Sequence, residues 1–94
     1  MSENYNYLLT IDPNSIYDTD LLIEKLDLCL DWTRLFACTY MLHTTSKKEK
    51  LYSRFKAALP NNKFFITQID ISNHEYTGWL ASSKWDRIKE FKNK

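Results

Sequence analysis

A single glycine in 94 residues leaves no glycine-rich loop to cradle a phosphate, which closes that route to nucleotide binding. Cysteine is scarce too: Cys29 falls on an apolar helical stripe and Cys38 inside a strand-like run. Both read as small core residues rather than as a disulfide or a metal pair, and no zinc-ligand spacing occurs. Repeats and low-complexity tracts are missing, and no apolar run approaches the length of a membrane span. Met1-Ser2-Glu3-Asn4 lacks the basic and apolar regions of a secretory signal, so the expected compartment is the cytoplasm of a cell or host. Neither sign of charge dominates. Thirteen bases against twelve acids give a net charge of +1, which argues against a strongly basic nucleic-acid coat.

What the chain does contain is apolar residues whose period changes along its length. Tyr5, Tyr7, Leu9 and Ile11 alternate, as in a strand with one well-buried face, and Pro13-Asn14-Ser15 stops it. From Asp18 to about Leu30 the spacing becomes helical, with Leu22, Leu26, Cys29 and Leu30 on one side and Asp18, Thr19 and Asp20 as cap and dipole complement. Residues 33 to 43 are rich in aromatic and β-compatible types but too long for one strand of a small domain, so they divide near Ala37. Ser46-Lys47-Lys48-Glu49 has the form of a capping box, followed at helical spacing by Leu51, Phe55, Ala58 and Leu59 and ended by Pro60-Asn61-Asn62. Residues 63 to 71 read as a fourth strand, and apolar residues on both its faces predict a place inside the sheet.

This order of strand, helix, two strands, helix, strand is that of an α+β, ferredoxin-like βαββαβ domain, and the length suits one domain over residues 1 to 94. A tail from residue 74 lies beyond that plan. It offers a short strand-like piece, Glu75 to Leu80, then a helix capped by Ser82 or Ser83 that carries Trp85, Ile88 and Phe91. Trp79 and Trp85 read as packing or interface anchors.

The near-zero net charge conceals a division. Residues 1 to 31 hold seven acids and one base, whereas residues 32 to 94 hold twelve bases and five acids. Lys47, Lys48, Lys50, Arg54 and Lys56 fall on the second helix, and Lys84, Arg87, Lys89, Lys92 and Lys94 on the tail. Such cations serve solubility on a solvated face or follow a phosphate backbone, and pairing of two copies would double the helical set into one stripe. Arg34, at the entry to the hairpin, has the reach for a phosphate or for a carboxylate such as Asp31. His43 and His74, thirty-one residues apart with no acid at ligand spacing, read as structural or solvated. No nucleophile elbow is present.

Three stretches together resemble a known family: Tyr7-Leu8-Leu9-Thr10-Ile11-Asp12-Pro13, Leu35-Phe36-Ala37-Cys38-Thr39-Tyr40, and Gly78-Trp79-Leu80 with Trp85. They look like the SinR-like proteins, small relatives of the Cas-two subunit of CRISPR adaptation complexes and of the VapD-type toxin ribonucleases. The resemblance implies a homodimer that pairs through its sheets, often with the carboxy-terminal strand of each copy laid along its partner. Tyr76, Trp79, Leu80 and Trp85 would then belong to the interface, the other course being that the segment folds back on its own sheet. It also implies a role for Asp12, which matches an aspartate that closes the first strand and faces its twin across the dimer axis. Two such carboxylates can hold Mg²⁺ for phosphodiester cleavage. Read from its neighbours, an Asp before Pro-Asn is an ordinary turn residue, and Pro13-Asn14-Ser15-Ile16 offers no second ligand or base.

Three functions follow as expectations. The first is a homodimeric, non-catalytic binding or adaptor module that docks nucleic acid or another protein, with Arg34, Lys47, Lys48, Lys50 and Arg54 as the nucleic-acid-binding residues. The second is a metal-dependent endonuclease or endoribonuclease centred on paired Asp12 side chains. The third is a phage or mobile-element protein that blocks a host protein, with the acidic first third meeting a basic surface.

Overall fold

The structure, a computed structural model, describes residues 4 to 14, 16 to 70 and 77 to 92. Its elements are β1 (Tyr5–Ile11), α1 (Thr19–Leu26), β2 (Asp31–Phe36), β3 (Thr39–Thr44), α2 (Lys48–Ala58), β4 (Phe64–Ile69) and α3 (Ser82–Lys92). The strands form one four-stranded antiparallel sheet in the order β2-β3-β1-β4, a small α+β arrangement compatible with a ferredoxin-like fold. Among the described residues, no helix is long and apolar enough to cross a membrane.

Alternation along β1 decides the layering. Tyr7, Leu9 and Ile11 sit opposite Leu42 and Tyr40 of β3 and Ile66 and Phe64 of β4, and directly opposed residues of antiparallel strands share a face. That face meets Leu22 and Leu26 of α1 and Leu51, Phe55 and Ala58 of α2 in the larger core. The other face carries Leu8, Leu35, Met41 and Ile69, and α3 covers it with Trp85, Ile88 and Phe91. Helices therefore flank the sheet on both sides. Full burial of an aromatic such as Phe55 or Phe91 contributes roughly 1.5–3 kcal/mol.

This layering explains where β4 departs from expectation. Its apolar residues on both faces predict an interior strand, yet among the described residues β4 lies at the margin of the sheet. Phe64 and Ile66 pack on the larger core and Ile69 on the smaller one, so a marginal strand between two helical layers acquires apolar residues on both sides.

Local hydrogen bonds set the other boundaries. Asp18 Oδ1 accepts from Leu21 N at 3.1 Å and caps α1. The helix ends at Leu26, four residues short of its predicted end, because Leu28 N and Cys29 N turn back to Lys25 O and Leu26 O, and Leu30 N then donates to His43 O of β3 at 2.9 Å. Leu28 and Leu30 are left exposed. The long aromatic run divides as expected, with a turn at Ala37 and Cys38.

The capping box is not made. Lys47 occupies the position before α2 and gives no side-chain cap, while Ser46 Oγ accepts from Arg54 Nη2 at 3.2 Å. Residues 77 to 80 adopt no strand, and the rest of the strand-like piece, Glu75 and Tyr76, lies outside the described residues with His74. Ser82 and Ser83 are both within α3, which follows Ala81, whose carbonyl accepts from Lys84 N and Trp85 N.

Candidate nucleic-acid interface

Burial of Leu51, Phe55 and Ala58 fixes the rotation of α2 and turns its remaining positions outward. Lys48, Lys50 and Lys56 are consequently exposed, with Lys47 beside them at the start of the helix. Lys56 Nζ donates to Pro60 O at 2.9 Å. None of these four lysines has an ion pair among the described residues.

The fifth cation of the set behaves differently. Arg54 is half-buried, with Nη2 on Ser46 Oγ and Nη1 at 3.9 Å from Cys29 Sγ, so it braces α2 against the end of α1. Burial raises the Cys29 thiol above its ordinary pKa, and the Arg54 guanidinium opposes that shift. Arg34 is exposed on β2, apart from α2, and its Nε donates to Phe36 O at 3.3 Å.

Between α2 and β4 runs an open groove of about 500 Å³, lined by Lys48, Glu49, Tyr52, Phe64 and Phe65 among others. Tyr52 and Phe64 stack at 5.7 Å between ring centroids, 34° apart. Tyr52 is 55% exposed one turn from Lys48, and Phe65, 68% exposed, alternates to the other face of β4. Sequence reasoning missed both aromatics. Tyr52 lies one helical turn after Lys48, which hinted at a shared face, but the exposure of Phe65 depends on β4 being marginal.

Asp12 caps the loop after β1, where its Oδ1 accepts from Asn14 N at 2.9 Å. No group of three His, Cys, Asp or Glu side chains able to hold a metal ion occurs among the described residues. Each chain brings one Asp12 carboxylate, whose Oδ1 is engaged by the Asn14 N–H.

The tail residues divide as well. Trp85 and Leu80 pack against Met41 and Ile88 of their own chain, whereas Trp79 is 96% exposed and Tyr76 lies outside the described residues. Trp79 and Trp85 border a cavity of about 430 Å³ against the sheet, floored by Leu8, Leu35 and Met41. His43 is buried, with Nδ1 at 3.0 Å from Asn6 Oδ1 and its ring edge-on to Phe91. It is a β3 residue that packs against α3.

Compared with known proteins, the chain matches no family model, no curated protein and no solved structure.

Proposed function

We propose that this chain is a non-catalytic, SinR-like or Cas-two-like binding module of ferredoxin-like fold that acts in the cytoplasm as a homodimer and docks a nucleic-acid backbone along α2. The observation that carries this reading is the set of Lys47 at the start of α2 and Lys48, Lys50 and Lys56 along it, all exposed and without ion pairs among the described residues. Cations exposed on a helix displace counterions from a phosphate chain, and the exposed ring of Tyr52, one turn from Lys48, offers a stacking surface to an unpaired base. Single strands are therefore the expected ligand. Arg54, held by Ser46 and Cys29, positions the helix instead of meeting phosphate.

The test is anisotropy of labelled single-stranded and duplex DNA and RNA over about 50 to 300 mM salt, where four phosphate contacts give a slope of about −3 in log K against log salt. Lys48→Glu with Lys50→Glu should flatten that slope by about 2. Absence of binding at the low-salt end overturns the reading. Cleavage that requires Mg²⁺ and vanishes in Asp12→Ala would replace it with the endonuclease.

A different observation favours a protein partner as the second reading. Leu28 and Leu30, both about 60% exposed, lie beside the acids Asp20, Glu24 and Asp27 at α1, an apolar and acidic surface suited to a basic protein. Loss of nucleic-acid binding together with retention of a partner by the wild type, but not by Leu28→Lys, would favour it.

A further inference from the structure

The two margins of the sheet are built differently. β2 carries Asp31 and Arg34, and its register with β3 shifts between Arg34 and Phe36, devices that discourage a further strand from adding. β4 has none of them. Phe-Phe-Ile-Thr-Gln-Ile contains no charge and no proline, pairs regularly with β1, and among the described residues has β1 as its one neighbour in the sheet. Its outward N–H and C=O groups form a template for another strand, and the exposed Phe65 ring stands beside them.

Building on the homodimer proposed above, we infer that two copies of this chain join β4 to β4, antiparallel, about a twofold axis that passes Thr67 and makes the two sheets continuous. Charge selects both the occupant and the direction. Lys63 immediately precedes the uncharged strand and Asp70 immediately follows it. Antiparallel pairing sets the Lys63 end of each copy within one residue of Asp70 in the other, whereas parallel pairing would set like charge against like.

Side-chain alternation selects the register. Phe65, Thr67 and Ile69 share the α3 face, opposite Thr10, Leu8 and Asn6 of β1. With Thr67 on the axis, Phe65 of each copy lies opposite Ile69 of the other, so the exposed ring gains an apolar cross-strand neighbour. The α2 helix beside β4 is brought next to its twin on the opposite face, and their lysines form a single track.

Residues directly opposed in antiparallel strands have Cα atoms about 4.5–5.5 Å apart, within the range a disulfide spans. Thr67→Cys should therefore give a covalent dimer under mild oxidation, at least about tenfold above wild type and above Arg34→Cys on the other margin. Phe65→Lys, an exposed position whose circular dichroism should stay unchanged, is expected to weaken the dimer about tenfold or more in sedimentation equilibrium. A dimer that Phe65→Lys leaves intact and that Thr67→Cys does not trap overturns the β4 contact while the homodimer stands, and points to another face or an exchanged carboxy-terminal segment. A wild-type monomer at about 100 μM overturns both, leaving nucleic-acid docking to its own salt series.

Discussion

Arg87 Nη2 lies 2.7 Å from Asp31 Oδ1 and 3.0 Å from Trp32 O, joining the last helix to the marginal strand β2 across 56 residues of chain. The same guanidinium stands 5.4 Å from the centre of the Phe91 ring and binds Glu90 one turn on. Asp31 is foremost among the causes that raise the pKa of Arg87. Arg87→Met should cost roughly 1–2 kcal/mol in urea denaturation, since the pair is only partly exposed. Trp85 emission should shift to the red at lower urea than far-ultraviolet dichroism is lost, because α3 is released first.

Phe91 and Trp79, on and beside the last helix, should separate cleanly by burial. Phe91→Ala removes a fully buried ring and is expected to cost about 3–5 kcal/mol. Trp79→Ala, at an almost fully exposed position, should change stability by no more than about 0.5 kcal/mol. Thermal or chemical unfolding of the two variants checks both values.

Tyr17 sets a limit on alkaline stability. Burial first, then the neighbouring Tyr40 and Cys38, raises its pKa from 10.0 to about 12. The folded chain therefore holds the phenolic proton after the unfolded chain has released it. Stability supplied by this site is complete below about pH 10 and falls as pH rises towards 12. Denaturation midpoints of wild type and Tyr17→Phe, measured across that window, should diverge, with the phenylalanine variant losing less.

The cysteines should differ in reactivity. Cys29 is buried and its thiol is raised by that burial, whereas Cys38 is half-buried in the β2–β3 turn. A thiol reagent at pH 8 should label Cys38 in the folded protein and reach Cys29 only after denaturant is added. Arg54→Gln should speed labelling of Cys29, because the arm that covers its sulfur is shortened.

Much of this architecture is legible in the residues themselves. The alternation of Tyr5, Tyr7, Leu9 and Ile11 marks β1, and the spacing of Leu51, Phe55 and Ala58 marks the buried side of α2. Less legible are features decided by partners distant in sequence. Leu30 fits the periodicity of α1, but its N–H is taken by His43, thirteen residues later. Ser46 has the right type for a cap, but its oxygen is occupied by Arg54. The position of β4 could not be read because α3 supplies a second apolar layer, which makes a marginal strand resemble an interior one. For the candidate interface, the residue types on α2 were readable, whereas the division between outward lysines and a bracing Arg54 required the fold.

The irregular register of β2 bears on how far sideways growth can go. A molecule with two open margins would polymerise once either one was used, since each addition would present a fresh template. Here the β2 margin is charged and irregular in register, so on the proposed β4 contact strand addition would stop at two copies.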